Sequence, residues 1–162
     1  MQLRAWEEKD IPVIAEMEKR CFPKDPWTER MLADALNASY MWNVLAEEGG
    51  QVCGYACIGC LFETADLMNI AVDIPFRGRG VASRLMDALH AKARELGAER
   101  MMLEVHVANA PAIALYQKYG YEKIALRKNY YGDGEDADIM QKILKLLATQ
   151  YRLTHKGAKR WT

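Results

Sequence analysis

Arginine and glycine alternate over residues 77–80, and a helical pattern begins directly after them. The apolar run at residues 70–72 is typical of a buried strand, which Pro75 ends because proline cannot sit in a central strand. Glycine lets the backbone approach a ligand closely, and a helix start presents N–H groups that lack intrahelical partners. Arginine adds donors that suit phosphate. The stretch over residues 69–83 therefore predicts a cradle for a phosphorylated cofactor.

Three side chains further along the chain could move protons. Glu104 and His106 share one face of a predicted strand over residues 100–107, and Tyr116 lies in the helix that follows. A carboxylate in a cleft can accept a proton, and a phenol can donate one. On the residues alone, Glu104 also fits a half-exposed partner of a Lys or Arg, and Tyr116 also fits an apolar helical stripe. A lone strand histidine such as His106 is more often a bystander.

Two other kinds of phosphate site can be compared with this stretch. A P-loop requires Gly-Lys-Ser/Thr after the glycines, which Val81-Ala82-Ser83 does not supply. A dinucleotide fingerprint requires a third glycine, where this chain has Ser83. It also requires an acid at the end of a strand, whereas Glu104 lies in the middle of one. The sequence therefore favours neither site.

The apolar periodicities predict, in chain order, one strand, two helices, three strands, and then helix, strand, helix and two strands. This order indicates an α/β (α+β) fold with about seven strands and about four helices, in which the middle strand–helix–strand unit is a parallel, right-handed crossover. Asp10 and Thr28 are predicted helix N-caps. His90, on the helix after the cradle, is expected to be solvated. The aromatic loop at residues 22–27 closes the core edge or lines a substrate groove.

Composition and length narrow the class of protein. The chain has 162 residues, with 22 basic and 22 acidic side chains. This length suits one domain, predicted at residues 1–146 and followed by a basic tail at residues 147–162. Zero net charge argues against stable nucleic-acid binding, although the tail could dock on RNA. With neither a signal peptide nor an apolar run that could span a bilayer, we expect a soluble, cytoplasmic monomer with no membrane partner.

Four cysteines, Cys21, Cys53, Cys57 and Cys60, raise the question of a metal cluster. Strand alternation would place Cys53 and Cys57 on one face and Cys60 on the other, with no fourth ligand nearby. Structural zinc needs four convergent ligands. We therefore expect buried thiols in a reducing compartment, and no metal.

Residues 77–82, Arg-Gly-Arg-Gly-Val-Ala, resemble the Arg/Gln-x-x-Gly-x-Gly/Ala loop with which the GNAT acetyltransferase family grips the pyrophosphate of acetyl-CoA. The resemblance extends over residues 41–144. Within the family, the sequence is most similar to the bacterial ribosomal-protein-alanine N-acetyltransferases of the RimI type, through residues 69–72, 129–131 and 135–140. It departs from their pattern where Lys24, Asp25 and Pro26 separate a Phe-Pro pair from Trp27.

The resemblance implies a single mixed, mostly antiparallel sheet that is split to admit acetyl-CoA. It implies that Glu104 acts as the base through a water, that Tyr116 acts as the acid, and that the Val72 N–H lies near the thioester oxygen. The implied cofactor contacts are Ile70, Ala71, Val72, Arg77, Gly78, Arg79, Gly80, Val81, Ala82, Ser83 and Asn109. The implied acceptor contacts are Trp27, Tyr130 and Tyr131.

The implied activity is acetyl transfer from acetyl-CoA to a protein N-terminal amine, by direct attack in a ternary complex. The acceptor is expected to be the N-terminal alanine of a small-subunit ribosomal protein. One alternative is an acetyltransferase for lysine side chains or small amines. Another is a CoA-binding module without activity, against which the presence of both Glu104 and Tyr116 speaks. No base partner is evident for the cysteines, which disfavours an acetyl-cysteine route.

Overall fold

The fold is built on one mixed sheet of seven strands. The computed structural model describes residues 1–145, and the predicted basic tail at residues 147–162 lies outside the described residues. The spatial order of the strands is β1-β2-β3-β4-β5-β7-β6. The strands are β1 (Gln2–Arg4), β2 (Met41–Glu48), β3 (Gln51–Leu61), β4 (Thr64–Val72), β5 (Arg100–His106), β6 (Glu122–Arg127) and β7 (Ala137–Ile143).

Four α-helices flank the sheet along the described chain, in the predicted order. They are α1 (Ile11–Cys21), α2 (Glu29–Asn37), α3 (Val81–Glu95) and α4 (Ala110–Lys118). Thr28 caps α2 as predicted, since its side chain accepts the N–H of Met31. The predicted α/β (α+β) fold class, with its mixed, mostly antiparallel sheet, is confirmed.

Strands β4 and β5 run parallel and are joined by α3, whereas the other neighbouring strands of residues 1–145 are antiparallel. They pair only from Thr64 opposite Arg100 to Asp66 opposite Met102. Just beyond, Met68 is an extra residue in β4 relative to β3, and such a bulge bends a strand and increases its twist. The two strands separate there, so the predicted split in the sheet is present.

Helices on both faces hold the strands beside this gap. On α3, apolar residues recur every three or four positions and bury Leu85 and Leu89 against the sheet, which contributes about 2 kcal/mol for each leucine. On the other face, Ile14 of α1 and Leu32 of α2 pack against Tyr55 of β3. Strands β2, β3 and β4 are therefore covered on both sides and form a rigid wall for the gap.

The prediction that His90 is solvated is wrong. The residue is only 4% exposed, because the apolar stripe of α3 is wide enough to carry it into the core. There its Nε2 lies 2.7 Å from the hydroxyl of Tyr121, so the ring is both buried and hydrogen-bonded.

Two further local predictions are corrected by the structure. Asp10 occupies the N-cap position of α1, but its side chain makes no capping bond, because its carboxylate is bound by the guanidinium of Arg4 at 2.8 and 2.9 Å and by the N–H of Glu7. Cys53 and Cys57 do not share a face. Cys53 is the extra residue of a bulge between β2 and β3 and packs on the α3 side, whereas Cys57 lies near Glu18 of α1.

No helix within residues 1–145 is both long and apolar enough to cross a membrane. Over the same residues, no three His, Cys, Asp or Glu side chains converge as a metal site would require. The four cysteines are free thiols.

Candidate active site

The edge of β4 that faces the gap presents free backbone groups. The Asp73 N–H donates to the Cys53 carbonyl of β3 at 2.8 Å. Because adjacent residues of an antiparallel strand turn their N–H and C=O groups to opposite sides, Val72 and Ile70 turn theirs away from β3. No β5 residue pairs with them. Ile70 and the N–H of Val72 therefore offer main-chain groups to a ligand in the gap, whereas the Val72 carbonyl already accepts from Arg77 and Cys21. Ala71 is buried between them.

The glycine–arginine loop forms a nest of N–H groups at the start of α3. Gly78 and Gly80 have φ angles of 77° and 79°, a left-handed conformation that glycine adopts without steric cost. Within residues 1–145, none of the six N–H groups from Gly78 to Ser83 donates a hydrogen bond. Successive N–H groups at a helix start favour an anion. The nest is the predicted cradle, made of the backbone of Gly78, Arg79, Gly80, Val81, Ala82 and Ser83.

The two arginine side chains of this loop are turned away from the nest. Nε of Arg77 donates to the Val72 carbonyl at 3.1 Å, and its Nη2 lies 3.6 Å from Sγ of Cys21. The guanidinium of Arg79 lies over the ring of Phe76, 5.5 Å from its centroid. The loop thus offers backbone donors first. Arg77 braces the end of β4, and the exposed Arg79 pairs loosely with Glu48, 3.9 Å away.

Glu104 reaches the gap from the face that carries α1 and α2. It alternates on β5 with Leu103 and Val105, which are buried on the opposite side. Its side chain is 37% exposed, and its Oε1 lies 3.4 Å from Arg127 of β6. This is the half-exposed ion pair with a Lys or Arg that the sequence offered as the alternative role of Glu104. At such exposure the pair is worth well under about 1 kcal/mol, so the carboxylate remains available to a substrate.

Tyr116 reaches the gap from the α3 side. It lies on α4, whose start is capped by Asn109 through a 3.3 Å bond from the Ala112 N–H. The tyrosine is 6% exposed. Burial, with a smaller contribution from Tyr131, raises its pKa to about 12, so the hydroxyl keeps its proton at neutral pH. Its ring packs against that of Tyr121, with 5.8 Å between centroids.

Tyr131 lies between the two candidate proton carriers. Its ring stacks on His106, with 5.3 Å between centroids and 23° between planes. Burial raises its pKa to about 12, with further contributions from Tyr130 and Glu104. Tyr130 packs edge-on against it at 4.9 Å. The structure thus places His106 in an aromatic wall beside Glu104, where Nε2 of the histidine is 3.5 Å from Glu135.

The two predicted acceptor loops meet over the gap. Nζ of Lys24, in the loop between α1 and α2, lies 3.2 Å from Oε1 of Glu135, in the loop between β6 and β7. Trp27 is half-buried against the α1–α2 core, and Tyr130 and Tyr131 are 44% and 41% exposed. The three extra residues in the aromatic loop therefore supply the lysine that bridges to the opposite wall.

The profile of the acetyltransferase (GNAT) family matches residues 11–121 of this chain. The chain belongs to the GNAT acetyltransferase family. Among individual proteins, the ribosomal protein bS18-alanine N-acetyltransferase of Escherichia coli K12 is 34% identical over 141 residues, which cover 85% of this chain and 94% of that protein. Membership confirms an N-acetyltransferase as the class of enzyme.

Solved structures of GNAT enzymes agree with this assignment. The crystal structure of the ribosomal-protein-S18-alanine N-acetyltransferase from Escherichia coli superposes with a TM-score of 0.82 at 30% identity, over 91% of this chain and 96% of that one. Ard1 from Thermoplasma volcanium superposes with a TM-score of 0.82 at 28% identity, over 90% and 98%. The predicted similarity to the ribosomal-protein-alanine acetyltransferases is confirmed.

Sequence reasoning missed a buried polar network beside this GNAT gap. Glu18 of α1 is fully buried and accepts hydrogen bonds from the Tyr55 hydroxyl, the Asn69 amide and the Trp27 N–H. Burial raises the pKa of Glu18, and these three donors partly oppose the rise. The signal in the sequence was its position four residues after Ile14, on the buried stripe of α1.

Proposed function

We propose that this enzyme acetylates the N-terminal alanine of a small-subunit ribosomal protein, with acetyl-CoA as the co-substrate. The observation that carries the proposal is the 34% identity, over 94% of its length, to an enzyme described as acting on the alanine of ribosomal protein bS18. The open edge of β4 and the two proton-carrying side chains at the gap support it.

Backbone groups of this chain are suited to hold and polarise a thioester. The nest from Gly78 to Ser83 fits the pyrophosphate of CoA, and Asn109 lies at the neighbouring helix start, where it can add a contact. The free N–H of Val72 is suited to receive the thioester oxygen. Such a donor stabilises the negative charge that grows only as the tetrahedral intermediate forms.

Glu104 and Tyr116 supply proton transfer from opposite faces of the sheet. A protein α-amine has a pKa near 8, so a base need remove only one proton at neutral pH, and Glu104 does this through a water. Tyr116 is the acid for the leaving thiolate. Its pKa of about 12 keeps it protonated, and since full proton transfer to a thiolate with a conjugate-acid pKa of about 8.5 is uphill, it acts by a hydrogen bond that stabilises the sulfur as it leaves. The transfer is direct, because burial raises the pKa of Cys21, Cys53, Cys57 and Cys60 and disfavours the thiolates that an acetyl-cysteine route needs.

The acceptor peptide enters between the two loops joined by Lys24 and Glu135. Trp27, Tyr130 and Tyr131 form apolar walls there, which suit a short extended segment of protein. The protein acts as a monomer on such a chain end.

The test is transfer from acetyl-CoA to a peptide that begins with alanine, read by mass spectrometry. Two control peptides are used. One has a blocked N-terminus and a free lysine, and the other has a free N-terminal alanine and acetylated lysines. Acetylation of only the second control supports the proposal. Acetylation of only the first control would contradict the proposal and identify a lysine acetyltransferase. CoA binding without transfer to any peptide would identify a binding module without activity.

A further inference from the structure

Three polar side chains from three elements meet on the α1 side of the gap. They are Glu18 of α1, Tyr55 of β3 and Asn69 of β4. Nδ2 of Asn69 lies 2.7 Å from Oε1 of Glu18 and 2.7 Å from the Tyr55 hydroxyl. The Tyr55 hydroxyl in turn donates to Glu18. Glu18 and Tyr55 are completely buried, whereas Asn69 is only partly so.

The count of donors and acceptors fixes the orientation of the Asn69 amide. An ionised carboxylate can only accept hydrogen bonds, and the Tyr55 hydroxyl donates its one proton to Glu18. Both neighbours of Asn69 therefore face its NH₂ group as acceptors. The amide cannot flip without leaving Glu18 facing an oxygen. Oδ1 of Asn69 is then left on the other side of the amide, away from both Glu18 and Tyr55.

The position of Asn69 puts this acceptor next to the part of β4 whose backbone faces the gap. Asn69 directly precedes Ile70, whose backbone faces the gap. The last paired residues of β4 and β5 are Asp66 and Met102. If the bulged Met68 is not counted, Asn69 lies as far past this last pair along β4 as Glu104 does along β5, with the gap between them, and both side chains lie on the face that carries α1.

We propose that Oδ1 of Asn69 accepts a hydrogen bond from the attacking amine of the acceptor and orients its lone pair toward the thioester. Glu18 and Tyr55 are positioning residues, which act by holding the amide. This inference rests on the proposed function.

The hydrogen bond from the attacking amine to Asn69 becomes stronger as the attack proceeds. A primary amine that attacks through its lone pair keeps two N–H bonds, of which one leads to the base. The second is free to donate to Asn69. As nitrogen bonds to the thioester carbon it gains positive charge, so this hydrogen bond strengthens in the transition state and lowers the barrier.

The experiment compares two acceptors in each variant: a peptide that begins with alanine, and the same peptide beginning with N-methylalanine. The methyl group removes one N–H from the attacking nitrogen. In the wild type, kcat/KM should favour alanine through both the lost hydrogen bond and the added bulk. In Asn69→Ala this preference should shrink by about tenfold, the order of one hydrogen bond, because only the bulk remains. The preference is a ratio within one preparation, so incomplete folding of a variant cancels.

Two further variants test whether the change in preference is specific to the Asn69 amide. Asn69→Ser, whose hydroxyl is too short to reach the amine, should lose the preference as Asn69→Ala does. Asn43→Ala is the matched control. Asn43 is a buried amide in the same cross-strand row, two strands from Asn69, and it bonds the Ala35 carbonyl. Its loss should leave the preference unchanged.

The outcomes separate this inference from the proposed function. A wild-type protein that acetylates the alanine peptide, together with an unchanged preference in both Asn69 variants, would overturn the role of Asn69 alone. An equal loss in Asn43→Ala would also overturn it, since a general disturbance of the sheet would then explain both. A wild-type protein inactive on the alanine peptide would remove the proposed function and this inference with it.

Discussion

Glu104 stands on the open face of β5 with one weak ion-pair partner, and this environment suits a base. Glu104→Gln should lower kcat by about 10²- to 10⁴-fold at neutral pH, the usual range for losing a general base. The loss should shrink above the pKa of the acceptor amine, near 8, where the amine deprotonates unaided. Steady-state rates at pH 6.5 to 9.5 check this. Glu122→Gln, an exposed carboxylate of β6, should change neither kcat nor its pH profile.

Tyr116 is buried on α4 and is the proposed acid. Since burial raises its pKa to about 12, the side chain stays protonated throughout the working pH range. Tyr116→Phe should therefore lower kcat by about 10²-fold by the same amount from pH 6.5 to 9, while acetyl-CoA affinity and the melting temperature stay near wild type. Kinetics and calorimetry measure these. An unchanged kcat would assign Tyr116 to core packing, and Tyr40→Phe, outside the gap, serves as the control.

At the residue scale, Glu104 and Tyr116 could be selected from the sequence as candidate proton carriers, but the residues that contact them could not be predicted. Arg127 lies 23 residues from Glu104, and two strand pairings, β5 with β7 and β7 with β6, bring it close. Glu18 and Asn69 are 51 residues apart. Contacts of this kind depend on the register of the sheet, which no local pattern specifies.

The start of α3 is the element that we propose binds acetyl-CoA. Gly80 has a left-handed backbone, with φ at 79°, and Gly97, just beyond the other end of α3, has φ at 87°. Alanine at either position carries a similar strain, roughly 1–2 kcal/mol. Both variants should therefore melt at lower temperature, but only Gly80→Ala should also weaken acetyl-CoA binding, because only there does the strain disturb the nest. Calorimetric titration with acetyl-CoA, at a temperature where both are folded, measures this. Equal affinities would place the cofactor cradle elsewhere.

At the element scale, the helices and strands were predicted to within a few residues, because apolar periodicity and Gly, Pro and Thr signals are local. The wrong predictions concern positions where a side chain binds, or an extra residue pairs with, a part of the chain outside its own element. Asp10 looked like a helix cap, but Arg4 binds it. Cys53 looked like a neighbour of Cys57 on one face, but a bulge opposite β2 shifts the alternation.

Across the whole molecule, His90 makes stability depend on pH. Burial, with smaller contributions from Lys142 and Arg94, lowers its pKa to about 4 from an ordinary value of 6.5. Between these values the unfolded chain binds the proton and the folded protein does not, so stability is full above pH 6.5 and falls toward pH 4. The loss is on the order of 3 kcal/mol. Chemical denaturation at pH 7 and pH 5 should show a smaller decrease for His90→Gln than for the wild type. Parallel decreases in the two proteins would contradict this.

The sequence by itself determined the cofactor chemistry and the order of the elements. A nest of N–H groups needs only a short run of glycines before a helix, and amphipathic periods need only neighbouring residues. The tertiary structure decided where β4 and β5 part, which face each proton carrier approaches from, and that Lys24 reaches Glu135 across the gap. It also turned Asn69 so that its oxygen points away from Glu18 and Tyr55. These features arise because sheet pairing and burial join residues far apart in the chain, and a side chain acquires its role from the partners that pairing gives it.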